Sequence, residues 1–362
     1  AHPARRMGAP WAPLRLGLLA AGAGAELPAG RVADLRKTLN DGTEMPMFGL
    51  GTWKSKASEV FQAVRHALCE AGYRHIDAAQ IYMNQEQVGD GIREAIDQCG
   101  IRRQDLWVTS KVWPTDFHPA HLPRAVDRIL KELGLDYVDQ LLLHWPLPYA
   151  RPPAGCPPDC SERWAGTDDP MRPRGRDGAI VVDEELSLRD AWSALEQAKA
   201  AGKVRSIGVS NFNPSEIAVL LSAPNATVPA VNQVEAHVFW NQEPLRASLE
   251  ALGVALVAYT PLGNPGLYGG QGLESPLVAE VAEEAGLTPA QTMLNFLLAR
   301  DILVVPKSVT PSRIKSNIDF ELRLGAAQLA RLAAAAPQQR LANPKTRPGG
   351  RPVFDDAPRQ EL

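Results

Sequence analysis

Eight apolar runs, each short enough for one strand, recur along the chain with helix-length segments between most neighbours: Met47–Thr52, His75–Ala79, Trp107–Val112, Val138–Trp145, Val204–Asn211, Ala230–Glu235, Ala255–Pro261 and Leu303–Ser308. Most are near-continuous rather than alternating in polarity, as strands of a parallel sheet buried on both faces must be. The intervening segments place apolar residues at helical spacing: Phe61, Val64, Leu68 and Ala71; Leu122, Val126, Ile129, Leu130 and Leu133; Leu245, Leu249 and Leu252. Gly72 and Gly134 stand where helices should stop, and Thr288-Pro289 reads as an N-cap followed by proline at the first helical position. Ahead of the series, "TLNDGTEMP" (38–46) reads as a hairpin around Asp41-Gly42. A hairpin followed by eight strand–helix units predicts an α/β fold: a (β/α)8 TIM barrel, its bottom closed by the hairpin, with long loops on the C-terminal face.

The competing architecture is a doubly wound dinucleotide-binding sheet, which wants G-x-G-x-x-G after its first strand. Gly49-x-Gly51 and Gly89-x-Gly91 both lack the third glycine. Any nucleotide would therefore be held by other means. The net charge of −3 gives no overall attraction to nucleic acid or to an anionic membrane. An anionic ligand needs a local cluster of cations. The segment 7–30 is too short in its apolar run and too rich in glycine to span a bilayer. It reads equally as a targeting segment or as an Ala/Gly-rich extension. The organisation expected is an N-terminal extension over 1–37, the barrel over 38–345 and a tail over 346–362. Residues 146–187 break the rhythm with a long Pro/Gly-rich, charged loop, a length that is usually functional or disordered. Cys69 and Cys99 fall in helical segments and are expected to be buried, reduced core residues. Cys156 and Cys160, in the long loop, read as free thiols, a loop disulfide or a metal half-site.

In such a barrel the chemistry sits where the strands end. Read there, the chain offers Asp77 and Tyr82 after the second strand, Lys111 near the end of the third and His144-Trp145 at the end of the fourth. Ser210-Asn211 end the fifth strand, Gln233 lies in the sixth, Tyr259 in the seventh, and the eighth opens into "PKSVTPSRIKSN". Free tyrosine, with a pKa of about 10, is a poor acid at neutral pH. An adjacent ammonium lowers that value, so Lys111, held charged by Asp77, is expected to tune Tyr82 as a proton donor. A neutral His144 can donate a second hydrogen bond to the oxygen that gains charge. Lys307 and Arg313, with Ser308 and Thr310 beside a helix N-terminus, suit a monoester phosphate.

The segments "LGTWKS" (50–55), "YRHIDAAQIY" (73–82), "VTSKVW" (108–113), "LLHWP" (142–146), "IGVSNF" (207–212), "VNQVE" (231–235), "AYTPLG" (258–263) and "VVPKSVTPSRI" (304–314) resemble, in order, those of the aldo-keto reductases, most closely the aldose reductase/aldehyde reductase branch. The resemblance implies a catalytic tetrad of Asp77, Tyr82, Lys111 and His144. It implies NADPH across the barrel mouth, its carboxamide on Ser210, Asn211 and Gln233 and its ring under Tyr259. Lys307 and Arg313 would grip the 2′-phosphate and Asn317 would reach the adenine. His144 stands where steroid double-bond reductases carry glutamate, which implies carbonyl reduction. Trp53, Trp113 and Trp145 would line the substrate pocket with His144, although packing explains the tryptophans nearly as well. The branch implies a cytoplasmic monomer acting on small carbonyl compounds. Other relatives act as potassium-channel β subunits or lens crystallins, so a binding role is the alternative, as is oxidation of an alcohol or sugar. Gln85 replaces a usual glutamate and Ser316 a usual acidic residue. His118 and His121 resemble a metal pair, but at the start of a helix no metal is expected of them.

Overall fold

The computed structural model describes residues 30–151, 169–263 and 272–342. The hairpin strands β1 (Arg36–Thr38) and β2 (Glu44–Pro46) pair antiparallel. Eight parallel strands follow: β3 (Leu50–Gly51), β4 (His75–Asp77), β5 (Trp107–Val112), β6 (Val138–Leu143), β7 (Val204–Ser210), β8 (Val231–Glu235), β9 (Ala255–Tyr259) and β10 (Leu303–Val304). Each bonds to the next in chain order, and bridges Phe48↔Val304 and Gly51↔Lys307 join the last strand to the first. This is the (β/α)8 barrel. The hairpin covers its N-terminal end, where Asn40 donates to the Pro229 carbonyl (2.9 Å) and Asp41 pairs with Lys199 (3.2 Å).

The strands are shorter than the apolar runs. β3 and β10 keep two residues each of their expected six, and the bridges complete the closure. The two glycines of the first run serve packing there. A Cβ at Gly49 would meet the His75 ring at 2.5 Å, and one at Gly51 the Val305 carbonyl at 2.8 Å. Gly89 and Gly91 answer a similar need within α2 (Gln85–Cys99). They let it approach α3 (Leu122–Leu133) and α1 (Ala57–Cys69), since a Cβ would lie 2.3 Å from the Leu133 oxygen or 3.0 Å from the Phe61 oxygen. Neither G-x-G pair is a phosphate loop.

The outer ring continues with α4 (Leu188–Ala200), α5 (Pro214–Leu220), α6 (Glu243–Ala251), α7 (Pro276–Ala285), α8 (Pro289–Leu298), α9 (Pro311–Ile318) and α10 (Ala326–Ala333). α3 ends on Gly134 in the left-handed region, and α8 starts on Thr288, whose hydroxyl accepts from the Gln291 N–H. The core is continuous between strands and helices.

The cysteine expectation is overturned. Cys69 and Cys99 are half-buried and form a disulfide, with Cα atoms 5.6 Å apart. Each is the last residue of its helix, and consecutive helices of a barrel run side by side in the same direction, so their ends meet. Cys156, Cys160, the extension before residue 30 and the tail beyond 342 lie outside the described residues. The bridge closes a loop with a sequence separation of 30. Reduction, or Cys99→Ser, is expected to lower the unfolding free energy by roughly 2–4 kcal/mol. Urea denaturation with and without reductant measures this, and equal midpoints would show that the bridge contributes nothing.

Candidate active site

The ends of β4, β5, β6, β7, β8 and β9 converge on one polar cluster inside an apolar barrel. Lys111, fully buried at the end of β5, donates to Asp77 Oδ1 (2.6 Å), to the Ala78 carbonyl (3.0 Å) and to the Tyr82 hydroxyl (3.2 Å). The second Asp77 oxygen accepts from Gln233 Nε2 at 2.7 Å, reaching across the mouth from β8. Tyr82 closes a 3-10 turn, Gln80–Tyr82, that leaves the end of β4. The His144 ring sits edge-on to Tyr82, with centroids 5.9 Å apart, and to Trp113 at 5.2 Å. The four sequence-expected residues are therefore brought together.

The electrostatics differ from expectation at one point. Burial holds the Tyr82 phenol well above its ordinary value, and the Asp77 and Tyr259 charges push it the same way. Lys111, 3.2 Å from the hydroxyl, does not reverse this, because desolvation is the largest influence on the phenol. Tyr82 thus keeps its proton throughout the neutral range. Burial, then the Lys111 charge, drives His144 well below the ordinary imidazole value, so its ring is neutral. A neutral imidazole has one N–H to donate.

Beside this cluster, Ser210 donates to the Gln233 carbonyl (2.8 Å), and Asn211 donates to the His144 carbonyl (3.0 Å) and to Ser210 Oγ (3.1 Å). The Tyr259 hydroxyl donates to Asn211 Oδ1 at 2.8 Å. Asn211 has φ 68°, left-handed backbone that asparagine tolerates better than most side chains. Lys307, Thr310 and Arg313 are exposed around the start of α9, with Ser308 half-buried and Asn317 buried further along. The Thr310 hydroxyl does not cap the helix, and Ser308 Oγ accepts from the Thr310 N–H (3.1 Å). Two cations and an uncapped helix start are a donor set that fits a phosphate.

Aromatic side chains surround the Tyr82–His144 edge. Trp145 stacks on His144, with centroids 6.3 Å apart and planes 13° apart, and Trp113 is buried. Trp53 is 39% exposed, under Lys54. The described parts of the long loop add Tyr149, Met171 and Ile180 to a second apolar cluster on Trp113, and the Trp113 indole N–H is donated to the Met171 carbonyl. Gln85 accepts from Ser110 and donates to Glu132 (2.7 Å), a structural link between α2 and its neighbours. Ser316 is exposed. The His118 and His121 rings are 5.5 Å apart, and no group of three or more metal-ligating side chains occurs among the described residues. The sequence reading missed the buried residues Gln80, Asn84 and Asp116, which bond to the segments carrying Tyr82 and the tryptophans.

The sequence pattern of the Aldo/keto reductase family matches residues 45–337. Aldo-keto reductase family 1 member A1 of Pongo abelii is 37% identical over 331 residues, spanning 88% of this chain and 94% of that protein. The Homo sapiens protein of the same name is also 37% identical, with the same coverage. The solved structure of the aldose reductase from Schistosoma japonicum superposes with a TM-score of 0.76 at 34% identity, covering 85% of this chain and 94% of that one. The chain belongs to the aldo/keto reductase family and is an oxidoreductase of that family. No described helix is long and apolar enough to cross a membrane.

His75, fully buried beneath Gly49, is lowered to about 4 from 6.5, chiefly by burial. A histidine depressed in the fold takes up a proton on unfolding. Its contribution is therefore complete above 6.5 and is lost as pH falls from 6.5 towards 4. His144 acts in the same direction. The urea midpoint is expected to fall across this window, and His75→Asn to make the fall shallower; an unchanged slope in the variant would refute the assignment.

Proposed function

We propose that this protein is an NADPH-dependent reductase of aldehydes and ketones. The observation that carries the reading is the Lys111 ammonium, bonded at once to Asp77 and to the Tyr82 hydroxyl beside a neutral His144. A carbonyl oxygen that receives hydride at its carbon gains negative charge and needs a proton. Tyr82, protonated and aimed into the mouth, is the donor. Lys111, one hydrogen bond away and held by its ion pair with Asp77, stabilises the phenolate left behind, which takes a proton back from solvent once the alcohol has left. His144 donates a second hydrogen bond to the same oxygen, which is an oxyanion-hole contribution. When bound, the dinucleotide supplies the hydride.

Ser210, Asn211 and Gln233 offer the polar atoms that suit a carboxamide, and Tyr259 a ring that suits stacking. Lys307, Ser308, Thr310 and Arg313 suit the 2′-phosphate that separates NADP from NAD, with Asn317 for the adenine. His144, Trp53, Trp113 and Trp145 suit the substrate wall. The reading takes the barrel of residues 38–345 as a monomer acting on small carbonyl compounds. The Cys69–Cys99 bridge is the feature that argues against a reducing compartment.

Purified protein is expected to oxidise NADPH with an aromatic aldehyde, and Tyr82→Phe to lose this turnover by about a hundredfold or more while binding NADPH as before. Full turnover in Tyr82→Phe would end the reading. Arg313→Ala is expected to weaken NADPH binding by about tenfold, corresponding to the loss of one charge-assisted contact, and to leave NADH binding unchanged. Equal loss for both cofactors would exclude a role on the phosphate.

A further inference from the structure

Tyr82 lies in a five-residue stretch bounded by two buried amides, and neither amide belongs to the proton-donor cluster. Gln80 Oε1 accepts the Trp113 backbone N–H at 3.0 Å, while its Nε2 donates to Asp116 Oδ2 at 2.6 Å. Asp116 is itself buried and takes Arg128 on the same oxygen (2.6 Å) and Arg151, from the start of the long loop, on the other (3.1 Å). On the far side of the tyrosine, Asn84 Nδ2 donates to the carbonyls of Thr52 (3.0 Å) and Ser55 (3.1 Å), which flank Trp53. Between the amides the backbone turns tightly, with Met83 at φ 56°, a conformation unfavourable for a side chain of its kind. Such a turn holds its shape when its surroundings fix it from both ends.

We propose that Gln80 and Asn84 are positioning residues. They fix the turn that aims Tyr82, and they lock it to the two segments that carry Trp113 and Trp53. Gln80 is the stronger element, because its two bonds also tie the turn through Asp116 to Arg151 of the long loop. The inference rests on the reading of Tyr82 as the proton donor. Its physical basis is reach. A proton donor must stand within hydrogen-bond distance of the oxygen, and a displacement of an ångström lowers turnover steeply.

The test uses the full-length protein, NADPH and an aromatic aldehyde. Gln80→Met keeps the length of the side chain and removes both hydrogen bonds. It is expected to lower kcat by about tenfold or more, with NADPH affinity and the number of NADPH sites per chain unchanged. A purely structural defect would instead reduce the number of sites in proportion to kcat. Gln80→Glu sets a second carboxylate against Asp116 and is expected to fall as far. Adding Asp116→Asn exchanges the two groups and should recover most of kcat: the amide at 116 donates to the carboxylate at 80, and Arg128, half-exposed and released from the amide nitrogen, pairs with that carboxylate instead. Recovery supports the proposal even where Gln80→Met does not fold. A kcat within about twofold of wild type in Gln80→Met, or no recovery in Gln80→Glu/Asp116→Asn, overturns it. Turnover retained in Tyr82→Phe removes the parent reading and this one with it, whereas loss in Tyr82→Phe with unchanged Gln80→Met removes this one alone.

Discussion

A lysine and an aspartate, both almost wholly shielded from water, meet at 2.6 Å at the mouth of an apolar barrel. Removing two charges from water costs more than their attraction returns unless the remaining hydrogen-bonding capacity is satisfied. Here it is. Asp77 places its second oxygen on Gln233, and Lys111 places its other donors on the Ala78 carbonyl and on Tyr82. Gln233 lies on β8, four strands away from β4 in the sheet order, so this bond spans the barrel and requires a closed sheet. The ion pair and the closure depend on one another. The short bridges that join β3 to β10 therefore support the site as well as the fold.

Burial also decides the protonation states, and it does so against the intuition that a nearby ammonium makes tyrosine more acidic. For Tyr82 desolvation is the largest influence, and the Asp77 charge adds to it. The same desolvation keeps His144 neutral. A phenol that keeps its proton stands beside an imidazole that is neutral and has one N–H to donate. In the proposed reaction Lys111 matters most after the proton has left, when a phenolate beside an ammonium is far better than one alone.

The barrel could be read from the chain because its strands are buried on both faces and so appear as continuous apolar runs. β5 has the bounds expected of its run, Trp107–Val112, while β3 is cut to Leu50–Gly51. Hydrophobicity marks burial, whereas a strand also needs ladder partners, and at the seam of the barrel these are few. The positions of Asp77, Tyr82, Lys111 and His144 could be read because each lies at a strand end or in the turn that leaves it. The Cys69–Cys99 bridge could not be read from helical periodicity, which gives the face of a residue and not its neighbour on the next helix. The signal was positional: each cysteine is the last residue of its helix.

Gln80, Asn84 and Asp116 escaped for a different reason. Amides and carboxylates near a strand end look like ordinary loop polarity in a sequence, and only tertiary contacts show that they are buried. Their arrangement divides labour within one stretch of chain. Asp77 and Tyr82 face the mouth, and Gln80 and Asn84 face the segments that hold Trp113 and Trp53. A proton donor on an exposed loop would sample many positions. In the arrangement proposed for Tyr82, four polar side chains spread over eight residues, two facing the mouth and two the scaffold, confine it to one. The segments that carry Trp113 and Trp53 are bonded to the same turn, so Tyr82 and these aromatic side chains are fixed in a common frame.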